Sequence, residues 1–139
     1  MHEGSIKIRL RAEVPEVERL NRLIRRFGEL HEIPGRTLYA VHLAIDELVS
    51  NAILYAFDNP MGQEVVVSID VQESVVRAAI EDSGREFNPL QTGSPDVSLP
   101  LEHREAGGLG IHLVRSLMDE VAYQRVDTKN ILTVSKRMR

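Results

Sequence analysis

Between residues 6 and 11, Ile6, Ile8 and Leu10 alternate with Lys7, Arg9 and Arg11. A period of two predicts a strand with one wet face. The period then lengthens. Pro15 suits a first helical turn, and Val17, Leu20, Leu23, Ile24 and Phe27 recur at helical spacing among Arg and Glu. This helix should end within 28–33, before the break at Pro34-Gly35. A second helix is predicted over 37–57, with Thr37 as its N-cap. The cluster Asp58-Asn59-Pro60-Met61-Gly62 is a turn, followed by strands over 65–71 and 75–81 joined through Gln72-Glu73-Ser74. Residues 91–106, rich in Gly, Ser, Pro and charge, read as a loop of the length that serves as a functional lid. Gly107-Gly108-Leu109-Gly110 opens a third amphipathic helix reaching 119. Strands 121–126 and 131–137 close the chain as a hairpin through Asp127-Thr128-Lys129-Asn130. The order predicts an α/β (α+β) two-layer sandwich, a mixed and mostly antiparallel sheet covered on one face by helices.

Composition narrows the function. At 139 residues and 42% hydrophobic, the chain suits one domain, 1–139, with a core of Leu, Ile, Val and Ala, because aromatics are only 4%. The net charge of -4, without a Lys/Arg run, argues against direct nucleic-acid binding. The chain has no Cys, which excludes disulfides, thiolate catalysis and zinc–thiolate sites. The N-terminus has no signal-peptide pattern and no stretch is long enough to cross a membrane, so a cytoplasmic location is expected.

The second helix holds the most chemistry. At about 100° per residue, Leu38, Val41, Ile45, Leu48, Val49 and Ala52 form a core stripe, and Ala40, Ala44, Glu47, Asn51 and Leu54 form another. Glu47 and Asn51 stand one turn apart, and the alanines beside them leave room for a bulky ligand. A carboxylate there is a candidate general base, and an amide oxygen is a hard ligand suited to Mg²⁺. On spacing alone, a solvated surface pair is the commoner explanation. Asp82-Ser83-Gly84 follows a strand directly, where a carboxylate can accept from the amine of adenine and Gly84 lets backbone approach the ring; an Asx turn is the plainer alternative. The glycines at 107, 108 and 110 precede a helix N-terminus, which offers free N–H groups to an anion, or they form a flexible linker. They match neither a dinucleotide fingerprint nor a Walker A loop.

The order of these segments carries more than any one of them. Glu47-Leu48-Val49-Ser50-Asn51-Ala52 resembles the N box of the GHKL (Bergerat-fold) ATPases. Asp82-Ser83-Gly84 resembles their first glycine box, and Gly107-Gly108-Leu109-Gly110-Ile111-His112-Leu113-Val114 their second. The tract 108–121 and Phe87-Asn88-Pro89 are similar to the stand-alone anti-sigma-factor serine kinases. The resemblance implies the cofactors ATP and Mg²⁺. It also implies roles: Glu47 as the base on a substrate serine, Asn51 on Mg²⁺, Asp82 and Gly84 at adenine. Gly108, Leu109 and Gly110 would lie on the phosphates, with Arg104 reaching them from the lid and Thr133 supporting adenine through water. One position departs from the pattern: Glu86 stands where the fullest first box has a second glycine. A carboxylate pointing inward there would repel phosphate. His42 and His112 are read as packing or surface residues.

The implied function is an ATP-dependent protein serine kinase that phosphorylates a STAS-domain anti-anti-sigma factor, sequesters a sigma factor and forms a homodimer. A non-catalytic, nucleotide-switched protein-binding module of the same fold is the alternative. A sensor histidine kinase is disfavoured, because one strand and one helix before the N box leave no room for a phosphoacceptor hairpin.

Overall fold

The structure, a computed structural model, describes residues 4–91 and 108–139. Strand β1 (Gly4–Arg11) leads into helices α1 (Glu16–Leu30) and α2 (Gly35–Tyr55). Strands β2 (Glu64–Gln72) and β3 (Val75–Asp82) follow, then a short 3₁₀ turn at Pro89–Gln91. Helix α3 (Gly108–Leu117) precedes the hairpin β4 (Glu120–Val126) and β5 (Lys129–Arg137). The strands form one sheet in the order β1-β2-β3-β5-β4. The two-layer sandwich is as expected. Every pairing among the described residues is antiparallel, so the parallel pair that would make the sheet mixed does not occur.

Strand alternation and register generate the core. Side chains on the helix-facing side fall into cross-strand rows. One is Ile6–Ile69–Ala78–Val134–Val121 and the next is Ile8–Val67–Ile80–Leu132–Tyr123. The third begins Leu10–Val65 and turns polar as Asp82–Asn130–Arg125. Helix α2 lies over β2, β3 and β5, flanked by α1 and α3. Leu20 and Ile24 of α1, Ile45 and Leu48 of α2 and Ile111 of α3 are fully buried on this layer. Each contributes about 1.5–3 kcal/mol by leaving water. At Gly28 a Cβ would stand 2.4 Å from Leu38 Cδ2, so the glycine lets α1 and α2 approach closely.

Boundaries differ from expectation where local hydrogen bonds intervene. Helix α2 begins at Gly35, with Pro34 as its N-cap in an extended conformation. The Pro34 carbonyl accepts from Leu38 N at 2.9 Å, so the helix is already under way at Thr37, which is buried rather than capping. Helix α3 stops at Leu117 because Asp119 N donates to Ser135 O at 2.9 Å and joins the sheet. Ala40 and Ala44 are buried in the core and leave no space for a ligand. The last hairpin turns through Asp127-Thr128 alone, since Val126 pairs with Lys129. Lys129 and Asn130, expected in the turn, are strand residues.

The β2–β3 hairpin has a two-residue loop, Glu73-Ser74, with φ of 53° and 64°. Two left-handed residues match the twist of a tight hairpin, but a side chain is strained there. Ser74→Gly should raise unfolding stability by about 0.5–1 kcal/mol. A urea midpoint shifted upward would bear this out, and a lower midpoint would refute it.

Candidate functional site

The polar end of the third row, the C-terminal half of α2 and the start of α3 meet in one place. Glu47 is half-buried and Asn51, one turn later, is only 6% exposed. The Asn51 Nδ2 makes no hydrogen bond among the described residues. A buried amide donor left without a partner costs on the order of 1–3 kcal/mol, so its orphaned state points to a ligand acceptor. The pair is therefore not a solvated surface pair. Leu54, next along the stripe, is 57% exposed.

Glu47 faces the start of α3. A Cβ at Gly110 would stand 1.9 Å from Glu47 Oε2. Gly110 is thus the surface against which the Glu47 carboxylate rests, and the N box meets the second glycine box there.

Asp82 ends β3, 5% exposed. Its Oδ1 accepts from Gly84 N at 2.8 Å and from Asn130 Nδ2 at 2.9 Å. Its Oδ2 makes no hydrogen bond among the described residues. Oδ1 thus closes an Asx turn, in which Oδ2 takes no part. Burial raises its pKa above the ordinary carboxylate value, against the hydrogen bonds from Asn130 and Gly84 and the nearby Arg125 charge. Gly84 has a role other than the one expected. A Cβ there would lie 2.2 Å from Ala56 O, so the glycine lets the turn press on the C-terminus of α2. Arg85 N donates to that carbonyl at 2.9 Å, and Arg85 Nε to Tyr55 O at 3.1 Å. These bonds satisfy helix-end acceptors and tie Asp82 to the helix carrying Glu47 and Asn51.

Thr133 falls on the wrong side. It stands between Leu132 and Val134, both buried against the helices, so alternation turns it to the opposite face of the sheet. Asn130 takes the helix-facing place beside Asp82. Sequence reasoning missed it by assigning it to the turn. The signal was the spacing of two from Asn130 to Leu132 to Val134, which puts all three on one face. Arg104 and nearly all of the expected lid, from 92 on, lie outside the described residues, and of Gly108 and Leu109 only the helical backbone is described. Glu86 is exposed and His112 is exposed. His42 lies in a groove of about 530 Å³ between α1 and α2, 2.7 Å from the Asn21 side-chain amide and 3.7 Å from Asp46 Oδ2.

The model of the histidine kinase-like ATPase domain matches residues 10–136. The chain belongs to that family. It is similar to the serine/threonine-protein kinase BtrW of Bordetella bronchiseptica, 29% identical over 73% of this chain and 71% of that one. It is also similar to the serine-protein kinase RsbW of Bacillus cereus, 29% identical over 65% of this chain and 58% of that protein. The match thus spans less than two thirds of the Bacillus relative. Among solved structures, the RsbU and RsbW domains of a Mycobacterium tuberculosis protein superpose with a TM-score of 0.71 at 16% identity, covering 96% of this chain and 32% of that one. The Acinetobacter baumannii histidine kinase AdeS superposes at 0.50 with 19% identity, covering 73% and 47%. These likenesses are of fold. Among the described residues, no helix of this histidine kinase-like ATPase domain is long and apolar enough to cross a membrane.

The raised pKa of Asp82 has a stability consequence. The folded chain holds this proton more tightly than the unfolded chain does. Ionising Asp82 therefore costs folding stability as pH rises from the ordinary value of 3.8 through the folded pKa, and the full cost persists at neutral pH. Asp82→Asn keeps an oxygen acceptor for Gly84 N and Asn130 Nδ2 and removes the charge. The variant should be at least as stable as the parent at neutral pH, with the difference shrinking in acid. Urea unfolding at both pH values measures it, and a variant clearly less stable at neutral pH would contradict the account.

Proposed function

We propose that this histidine kinase-like ATPase domain binds Mg·ATP and phosphorylates a serine on a partner protein, in the manner of an anti-sigma-factor kinase. The observation that carries the reading is the buried, unpartnered Asn51 amide one turn from a carboxylate that rests on Gly110. An amide presents both chemistries the ligand needs: its oxygen suits Mg²⁺, and its Nδ2 suits a phosphate oxygen. The Asp82 Oδ2 is an acceptor for the adenine amine. By the resemblance, Gly108, Leu109 and Gly110 serve the phosphates, and Arg104 is assigned to them on sequence alone. When bound, Mg·ATP supplies the phosphoryl group and the charge neutralisation that its transfer requires.

Glu47 is the general base. It takes the proton from the serine hydroxyl as the serine oxygen bonds to the terminal phosphorus and the bond to the ADP oxygen breaks. Its contact with Gly110 fixes where that carboxylate stands. Similarity to proteins named serine-protein kinases supports serine as acceptor. The partner class follows from the resemblance noted in the sequence: a STAS-domain antagonist is the substrate, a sigma factor is the sequestered partner, the kinase is a homodimer, and the setting is cytoplasmic.

The test is reconstitution with the STAS-domain protein of the same organism, with phosphoserine read by mass spectrometry. Glu47→Gln should lower transfer by about 10²–10⁴-fold with little change in ATP affinity. ATP binding without any serine phosphorylation in the unsubstituted protein would instead support the nucleotide-switched binding module.

Gly110→Ala offers a second, gentler displacement. The new Cβ meets the far end of a flexible side chain, so the fold should survive, and alanine improves the helix by up to about 1 kcal/mol. The Glu47 carboxylate must move, and transfer should fall by about 10²-fold. A folded Gly110→Ala protein with parental transfer would show that Glu47 does not need this position.

A further inference from the structure

The group that prepares Asp82 is Asn130, and its bonding is unusually complete. Its Nδ2 donates to Asp82 Oδ1 at 2.9 Å and to Arg85 O at 2.7 Å. Its Oδ1 accepts from Tyr123 OH at 2.6 Å, from Arg125 NH1 at 3.1 Å and from Phe87 N at 3.3 Å. The oxygen faces donors and the nitrogen faces acceptors, so one orientation of the amide satisfies every bond and the reverse keeps only the one to the Tyr123 hydroxyl, which can also accept. Arg125 NH1 also donates to Gly84 O at 2.8 Å, closing the network around the turn. Asn130 is 2% exposed, and Asn130 and Arg125 continue the cross-strand row that contains Asp82.

We infer that Asn130, held by Tyr123 and Arg125, is the positioning residue that makes the base site read an amine. A fixed donor on Oδ1 holds Asp82 as an acceptor and leaves Oδ2 to meet the ligand's hydrogen. A base carrying a carbonyl at that position presents an acceptor to an acceptor and is rejected. Discrimination of this kind is large when a buried polar group would be left unpaired. The assignment rests on the nucleotide reading proposed above and names a residue outside the motifs that suggested it.

The test compares ATP with inosine triphosphate, whose base has a carbonyl in place of the amine and a hydrogen on the neighbouring ring nitrogen. Dissociation constants of both are measured by calorimetry for the parent, Asn130→Leu and Asn130→Asp, with thermal melts to verify folding. Asn130→Leu removes the donor. Asn130→Asp keeps an oxygen acceptor for Tyr123, Arg125 and Phe87 but sets a carboxyl against Asp82, and so covers the event that the leucine variant fails to fold. In each folded variant the preference for ATP over inosine triphosphate should narrow by about tenfold or more. Damage to the fold alone would weaken both nucleotides together and leave their ratio intact. A folded variant that retains the parental ratio overturns the inference while leaving the nucleotide reading in place. A parent that binds neither nucleotide overturns the nucleotide reading, and this inference with it.

Discussion

A buried carboxylate sets the terms for one end of this domain. Asp82 ends the central strand β3 at 5% exposure, where an unpaired charge is costly. The cost is offset by groups drawn from separate parts of the chain: Gly84 N from the following turn, Asn130 from β5 and Arg125 from β4. The same turn presses on the end of α2 through Gly84 and the Ala56 carbonyl. The carboxylate thus brings strands, turn and helix into one rigid corner, and that corner sets where Glu47 and Asn51 stand. Its raised pKa reflects burial that outweighs the hydrogen bonds from Asn130 and Gly84 and the Arg125 charge.

The division of labour across the sheet follows from register. Two of its rows are apolar apart from the Tyr123 hydroxyl and anchor α1 and α2 by burial. The third begins apolar at Leu10 and Val65 and ends polar at Asp82, Asn130 and Arg125. The transition occurs within one line of neighbours, so the core and the site share a backbone. Rigid strands hold the polar side chains, and packing beneath them limits their rotamers. Such support from packed elements is what a binding site requires to stay in its productive geometry.

Much of this was readable from periodicity. Strand and helix periodicity announces every strand and α-helix, though not the 3₁₀ turn at Pro89–Gln91, and the sequence alone singles out the Glu47–Asn51 spacing, Asp82 and Gly110. The differences have separate causes. Asn130 is expected in a turn because a hairpin's length does not reveal where its turn ends, and Thr133 is set beside adenine by the resemblance alone. A two-residue shift in that boundary leaves the faces of the strand unchanged, and Thr133 is turned away because it alternates with the buried Leu132 and Val134. Gly84 was assigned to the ligand, whereas its missing side chain serves the Ala56 carbonyl. Ala40 and Ala44 were read as making room and instead fill the core.

The sequence by itself determined the identity and order of the elements, the stripes that face the core and the residue types able to handle a nucleotide. These depend on the 3.6 and 2.0 repeats and on local chemistry, both of which are written along the chain. Tertiary structure alone decided which of those residues meet. Asn130 reaches Asp82 across 48 positions, Arg125 reaches Gly84 across 41, and Glu47 comes to rest on Gly110 through the packing of α2 against α3. Contacts of that separation are fixed by strand register and helix packing, which depend on the whole core at once and are encoded at no single position.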